Sequence, residues 1–501
     1  MSMTPSSRYP RLITASDILV KSDACSSTEG DCDCACAEIS TTLQPYTLSG
    51  GLDSLYRRGT SLNIQRLDEN YSLAFNPLSS GGVIVLNNLA LEILDAFKSP
   101  LTLQDAFAGF PQYPKHQASQ VINKMINSRF LYPGGETEGP ILQTSKQLTV
   151  WLHVTNECNL RCSYCYLRKT QDEMSPDIAK RALKTVFRTA EKHKFERIKL
   201  KYAGGEATLN FHRIIELHQH AQTLLQRYEM DLDEVVLSNG VGITDSMIDM
   251  LKTNNIRLMI SLDGIGEYHD TQRIFVNGRG SFTIVAKTID RLLQKGLIPH
   301  ISITISDKNI DGLPQTVAFV LECDLPFSLN FYRENDCSAT FQDLRFGEQR
   351  MVEGMRRAFQ VIERNLPKRS LLGSIVDKAQ LSSPHNQTCG VGNSYLVIDQ
   401  NGKIAKCHME IEKPITDINA DDPLQIIRDD QIGIQNLNVQ EKEGCRDCEW
   451  KYWCTGGCPL ATYRATGRYD VKSPNCNIYK ALYPEVLRLE GLRLLKYSAN
   501  N

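Results

Sequence analysis

Short apolar runs and turn residues alternate with helical periodicity from the first third of this chain onward. Ser72-Leu73-Ala74-Phe75 and Val83-Ile84-Val85-Leu86 flank the turn-rich Asn76-Pro77-Leu78-Ser79-Ser80-Gly81-Gly82, a pattern that predicts a hairpin. Three helical patterns follow: Asn88 caps one carrying Leu89, Ile93, Leu94 and Phe97, Thr102 precedes a short second, and Val121, Ile122, Met125 and Ile126 line a third. Two or three strands with three helices suggest a winged helix-turn-helix over residues 46–135. A Gly/Pro-rich linker occupies 133–147.

Strand and helix patterns then alternate. Strands are expected at Val150–Val154, Ile198–Tyr202, Val235–Leu237, Ile256–Ser261, Ile301–Ile305 and Phe327–Tyr332. Between them lie helices from Ser175-Pro176, at Phe211–Tyr228, Thr244–Lys252, Phe282–Lys295 and Asp311–Glu322. Six repeats imply a parallel sheet, open or closed into a partial barrel, within residues 148–335. Residues 336–388 read as a helical bridge, 389–480 as a cysteine-rich domain, and 481–501 as the end of a helix whose stripe is Leu482, Val486, Leu489, Leu492 and Leu495. Residues 1–45 are rich in Ser, Thr and Asp without periodicity and read as a disordered tail.

Composition narrows the class. Lys plus Arg is 56 against 58 Asp plus Glu, a net charge of -2, so no global basic field draws nucleic acid. Thr47 to Glu138 likewise holds 7 basic and 8 acidic residues, which weighs against DNA binding by the winged helix. No signal-peptide core and no run of eighteen apolar residues is visible, so no membrane association is expected. A cytosolic location follows, and there the 16 cysteines read as metal sites rather than disulfides. Cys25, Cys32, Cys34 and Cys36 lie in the tail, where they could bind a soft metal, exchange thiols, or have no fixed partner.

The sharpest chemistry follows the first predicted barrel strand. In Asn156-Glu157-Cys158-Asn159-Leu160-Arg161-Cys162-Ser163-Tyr164-Cys165-Tyr166, one tight loop can set three thiolates on three corners of a cubic iron-sulfur cluster, leaving the fourth iron open. Zinc is the alternative reading of close cysteines. Reactive groups in parallel α/β folds gather beyond the strands' carboxyl ends. Gly204-Gly205-Glu206, Ser238-Asn239-Gly240 and Ser261-Leu262-Asp263-Gly264 end the next three strands, so four clusters converge on one mouth.

With these flanks the loop resembles that of the radical S-adenosylmethionine (SAM) superfamily, Cys-x3-Cys-x-aromatic-Cys, with Tyr164 as the aromatic. In that family the open iron of a 4Fe-4S cluster chelates SAM, and reductive cleavage releases a 5'-deoxyadenosyl radical. The resemblance implies that Gly204, Gly205 and Glu206 contact the SAM amino group and that Ser238 and Asn239 lie near the ribose. It likewise places Ser261 near the carboxylate and Tyr164 near adenine. Arg273, in His269-Asp270-Thr271-Gln272-Arg273, would pair with the carboxylate or form a surface ion pair.

Downstream, the order Cys389, Cys407, Cys445, Cys448, Cys454, Cys458, Cys476 resembles the SPASM extension of this superfamily. That resemblance implies two auxiliary iron-sulfur clusters, the outer held by Cys445, Cys448, Cys454 and Cys476, the inner by Cys389, Cys407 and Cys458. The inner set lacks a fourth thiolate. Cys323, Cys337 or another residue completes it, or one iron stays open for a substrate thiolate. His408 stands where sulfatase-maturing relatives carry Asp, as proton acceptor or as a structural partner.

The N-terminal order resembles precursor-peptide recognition elements, in which a leader peptide adds a strand to a sheet edge; a structural cap is the alternative. Together the resemblances imply a partial (β/α)6 TIM-like barrel with an N-terminal winged-helix domain and a C-terminal iron-sulfur domain. The expected activity is modification of a ribosomally made precursor peptide, by thioether or carbon-carbon cross-linking, with its leader on residues 46–135 and with a flavodoxin or ferredoxin as electron donor. Sulfatase-type maturation, epimerisation and a zinc-bound peptide scaffold are the alternatives.

Overall fold

The computed structural model describes residues 9–18, 51, 53–79, 82–142 and 145–498. Cys25, Cys32, Cys34 and Cys36 lie outside the described residues. The N-terminal part comprises β1 (Leu12–Ile13), β2 (Leu55–Arg58), β3 (Asn63–Arg66), β4 (Tyr71–Phe75), β5 (Val83–Asn87), α1 (Asn88–Ala96), β6 (Leu101–Thr102), α2 (Leu103–Gly109), α3 (Lys115–Asn127) and β7 (Leu131–Pro133). The hairpin expected around residues 76–82 forms, with Ser72 opposite Leu86 and Phe75 opposite Val83. Asn87 rather than Asn88 caps α1, its side chain accepting from the Ala90 amide, because residue 88 already has helical geometry.

These strands form two small sheets, ordered β1-β5-β4-β3 and β6-β2-β7. The tail expected over residues 1–45 is corrected at its start: Leu12 and Ile13 pair antiparallel with Leu86 and Val85. Two apolar residues carry no periodicity of their own. Their partner strand, rather than local pattern, makes them a strand.

The central sheet follows the chain. It contains β8 (Gln147–Thr155), α4 (Pro176–Lys192), β9 (Arg197–Gly204), α5 (Phe211–Leu225), β10 (Asp231–Ser238), α6 (Asp245–Thr253), β11 (Arg257–Ser261), α7 (Glu267–Asp270), α8 (Phe282–Gln294), β12 (His300–Ile305), α9 (Leu313–Glu322) and β13 (Phe327–Phe331). Each strand from β8 to β13 pairs in parallel with the next, the arrangement of a partial TIM-like barrel. Leu148, Val150, Leu152 and Val154 belong to the main core with Leu183, Val186 and Phe187 of α4. Alternate residues on the other face, Trp151, His153, Lys199 and Lys201, are also buried.

The remainder comprises α10 (Glu348–Arg364), β14 (Tyr395–Ile398), β15 (Lys403–Ala405), β16 (Thr416–Asp417), α11 (Pro423–Asp429), α12 (Lys451–Cys454), α13 (Pro459–Thr466) and α14 (Cys476–Ser498). Strand β14 runs parallel to β8, so the cysteine-rich segment continues the barrel's own sheet rather than standing as a separate body. The expected helical bridge is helical chiefly over α10. The N-terminal hairpin docks on the cysteine-rich part: Phe75 meets the Trp453 ring edge-on at 4.8 Å, and Trp453 Nε1 donates to the Pro77 carbonyl at 2.6 Å. Among the described residues no helix is long and apolar enough to cross a membrane.

Candidate radical-initiating site and cysteine centres

The cysteine loop leaves β8 and is strapped to a segment that is distant in sequence. The Arg161 amide donates to the Ile274 carbonyl at 2.7 Å and the Ser163 amide to the Gln272 carbonyl at 3.0 Å. From the β13 side, Asn335 Nδ2 donates to the Tyr164 carbonyl at 3.0 Å. These bonds fix the loop main chain at the strand ends. Donors then aim at its sulfurs: the Leu160 amide lies 3.4 Å from Cys158 Sγ, Asn239 Nδ2 3.9 Å from the same atom, and Lys169 Nζ 3.1 Å from Cys165 Sγ. Burial pushes the Cys162 thiol up to about 12 against the pull of Arg273, so a metal must displace its proton.

Gly204 and Gly205 have a clear steric reason. A Cβ on Gly204 would lie 2.4 Å from the Thr155 carbonyl oxygen, and one on Gly205 2.3 Å from that of Glu157. Their lack of side chains lets β9 close on the cysteine loop itself. The carboxylate of Glu206 is buried and accepts from the Thr208 amide at 3.0 Å, Thr208 Oγ1 at 2.7 Å, Ser238 Oγ at 2.9 Å and the Asn239 amide at 2.6 Å. Burial raises its pKa, with these bonds opposing. Glu206 therefore organises the β10 strand end. Asn239 in turn reaches Asn159 Oδ1 at 2.7 Å, and Ser261 ends β11 half-buried beside them.

Tyr164 and Arg273 occupy one buried cluster with Asp263, which the sequence reading had not assigned a role. The Tyr164 hydroxyl donates to Asp263 Oδ2 at 2.6 Å, Arg273 Nη1 donates to the Tyr164 oxygen, and the same nitrogen lies 3.5 Å from Asp263 Oδ2. Arg273 thus has an internal carboxylate partner at the mouth, and a surface ion pair is excluded by its burial. Asp263 was legible as part of a strand-end cluster. Its link to Tyr164, 99 residues away, was not.

Among the downstream cysteines, Cys445, Cys448, Cys454 and Cys476 line one small cavity of about 20 Å³ together with Trp450, Tyr479 and Tyr483. Four cysteines lining one space, with Trp450, Tyr479, Tyr483 and the cationic Lys451, Lys472 and Lys480 around them, fit a cluster held by four thiolates. Cys389, Cys407 and Cys458 share a smaller core cluster with Trp151 and Tyr395. Cys323 closes α9 in the helical layer, and the Cys337 thiol donates to the Tyr166 carbonyl at 3.5 Å, beside Cys165. Tyr166 and Cys165 pack against the same core cluster as Cys389, Cys407 and Cys458. Lys442, also unassigned from sequence, is buried with Nζ 2.7 Å from the Thr455 carbonyl, and thiols of both sets, Cys445, Cys389, Cys454 and Cys458, act on it. Among the described residues no group of three or more His, Cys, Asp or Glu is spaced to hold a single metal ion.

His408 stacks on Trp151 at 4.6 Å and its Nδ1 lies 3.1 Å from the Tyr395 hydroxyl. Burial, with Lys378 and Lys201 nearby, holds its pKa well below the ordinary value. Its ring contacts, Trp151 and Tyr395, pack it between the barrel and the cysteine-rich segment.

Residues 152–320 match the family model described as the Radical SAM superfamily, so the chain carries a radical SAM domain. It is 26% identical over 275 residues to the antilisterial bacteriocin subtilosin biosynthesis protein AlbA of Bacillus subtilis, covering 50% of this chain and 56% of that protein. It is 20% identical over 259 residues to the radical SAM cyclopropyl synthase TigE of Paramaledivibacter caminithermalis, covering 46% and 53%. The chain spans about half the length of these relatives. Its fold is similar to that of native anSMEcpe with bound AdoMet and Cp18Cys peptide, with a TM-score of 0.57 and 17% identity over 71% of this chain and 99% of that one.

Proposed function

We propose that this protein is a radical SAM enzyme that modifies a ribosomally made peptide, forming a thioether or carbon-carbon cross-link. The observation that carries the proposal is the strand-end mouth, where three cysteines of one loop meet Lys169, Asn239 and the Tyr164–Asp263–Arg273 cluster inside the stretch that matches the radical SAM family. A 4Fe-4S cluster on Cys158, Cys162 and Cys165, with SAM, supplies a 5'-deoxyadenosyl radical for hydrogen abstraction. The protein binds and orients. Lys169 and Asn239 place positive charge and an N–H donor at the thiolate sulfurs, favouring the charged ligand form. Arg273 and Asp263 hold Tyr164 in one orientation at the mouth, and Glu206 fixes Ser238 and Asn239 facing the loop.

The two further cysteine sets, the outer with four thiols and the inner with three, would hold auxiliary iron-sulfur clusters, which would supply electron uptake. The kinship with a bacteriocin biosynthesis protein and a cyclopropyl synthase supports a peptide substrate, and an N-terminal sheet with exposed edge β3 offers a place for its leader. A flavodoxin or ferredoxin fits as electron donor, and a cytoplasmic setting suits reduced thiols. Sulfatase-type maturation is the second reading, since the chain is also 26% identical over 166 residues to a cysteine-type anaerobic sulfatase-maturating enzyme of Clostridium novyi. Anaerobic purification with iron analysis tests the reading: about four irons per cubane cluster, about twelve in all, are expected. Coexpression with a neighbouring precursor peptide should give a product lighter by two hydrogens per cross-link. A colourless zinc protein would refute it.

A further inference from the structure

Lys442 is a buried cation with no role so far. It is 2% exposed, and its Nζ donates to a neutral acceptor, the Thr455 carbonyl, at 2.7 Å. Among the described residues no carboxylate pairs with it. Arg333, a second cation that acts on Cys458, is by contrast answered by Asp377 at 2.5 Å. A buried ammonium is kept where an anion compensates it. The groups that face Lys442 are thiols of both downstream sets, Cys445 and Cys454 of the outer and Cys389 and Cys458 of the inner.

The local chain holds the ammonium between the two sets. The Lys442 carbonyl accepts from the Cys445 amide at 3.1 Å and the Arg446 amide at 3.2 Å, so its main chain opens the turn that carries Cys445. Its side chain crosses to Cys454-Thr455-Gly456-Gly457-Cys458, the connection that runs from the outer set to the inner. Thr455, Gly456 and Gly457 form a left-handed run with φ of 50°, 86° and 68°. A Cβ on Gly456 would lie 2.7 Å from Lys442 Cδ and 3.4 Å from Cys445 Sγ, so glycine leaves the passage that the lysine stem takes. The Thr455 carbonyl also accepts from Thr388 Oγ1 at 3.2 Å, and Thr388 precedes Cys389. One carbonyl thus ties the ammonium to main chain of both sets.

We propose that Lys442 is the shared counter-ion of the two auxiliary clusters, a positioning residue whose fixed positive charge raises the reduction potential of both. The proposal rests on the iron-sulfur reading of the downstream cysteines given above. A reduced cluster carries one more negative charge than the oxidised one, and a cation held away from water favours it. Lys472 and Lys480, which act on Cys476, are exposed at the outer set alone, where water screens them.

The test compares the full chain in three forms, each carrying Cys162→Ala so that only the downstream centres respond. Position 442 is left as Lys, changed by Lys442→Met, which keeps a stem without charge, or changed by Lys442→Arg, which keeps the charge. Iron is counted, the thermal transition is recorded, and both centres are titrated with reductant and followed by electron paramagnetic resonance. Lys442→Met should shift the oxidised-to-reduced ratio of both centres at least about tenfold toward the oxidised form at a given potential, about 59 mV lower for one electron, and Lys442→Arg should stay near the parent. Loss of iron from both sets in Lys442→Met but not in Lys442→Arg would support the proposal in another way, since the charge is then needed to hold the clusters. Unmoved potentials with iron retained, a shift confined to one set, or the same change in both variants would overturn it, the last by making Lys442 a packing residue. A parent chain with no downstream iron would overturn the iron-sulfur reading, and the proposal with it; a parent chain with iron whose potentials ignore Lys442→Met overturns the proposal alone.

Discussion

The first cysteine loop and the outer cysteine set reach their final surroundings by different routes. Cys445, Cys448, Cys454 and Cys476 come from one stretch, and the other walls of their cavity, Trp450, Tyr479 and Tyr483, come from the same stretch and the first turns of α14. The loop at Cys158–Cys165 is equally compact in sequence, but what surrounds it is not. Asn239, Asp263, Gln272, Arg273 and Asn335 arrive from the ends of β10, β11 and β13 and from the segment after α7. A local array can gather its ligands once its turns form. A strand-end site exists only when the parallel strands have assembled side by side.

That contrast can be broken by mutation, beginning with the largest effect. Cys162→Ala should abolish SAM cleavage and remove about four irons of about twelve while leaving the other centres bound, and iron analysis with chromatography of 5'-deoxyadenosine checks both. Loss of all iron would show that the two regions do not assemble independently. Cys448→Ala should also remove about four irons, yet 5'-deoxyadenosine formation should persist while peptide modification stops. If cleavage stops as well, the outer set is not a separate centre.

Next in size is Asp263→Asn, which leaves Arg273 buried without its carboxylate. A cost of about 3–5 kcal/mol is expected, measured by denaturant unfolding. Tyr164→Phe removes one buried hydroxyl from the same cluster and should cost about 1 kcal/mol. The ranking of the two, rather than either value, tests whether the carboxylate is the centre of the cluster. Glu206→Gln sets an amide group against four donors and should cost about 1–3 kcal/mol and raise the KM for SAM, since Ser238 and Asn239 lose their common acceptor.

A pH slope is the last test, and it bears on the barrel alone. Burial holds His269 and His300 at about 3, below the roughly 6.5 of an unfolded histidine. Between those values the unfolded chain binds more protons, so stability rises with pH through that window, is fully present above about 6.5, and is lost as the pH falls. His269→Gln should flatten the dependence of Tm on pH between about 4 and 6.5.

Much of the architecture was legible along the chain because each barrel repeat pairs with its sequence neighbour. Apolar period and turn residues placed all six strands from β8 to β13, and Ser175 before Pro176 marked the start of α4, where Ser175 accepts from the Ile178 amide. Features set by distant partners were not. The pairing of Leu12 with Leu86, the addition of β14 to β8, the Tyr164–Asp263–Arg273 cluster and the position of Lys442 between two cysteine sets have no local pattern.

By itself, then, the sequence determined the cysteine spacings, the alternation of strand and helix and the glycine positions at the strand ends, because these depend on residue type and on neighbours a few places away. Tertiary structure decided what those residues do. It turned Gly204 and Gly205 into the close approach between β9 and the cysteine loop, and Glu206 into the acceptor that orders β10. It also set Cys323 at the end of α9, Cys337 against the Tyr166 carbonyl and residues 9–18 on the β5 edge. The physical reason is that hydrogen bonding and desolvation act through space, and the assembled sheet brings together groups that no window of sequence contains.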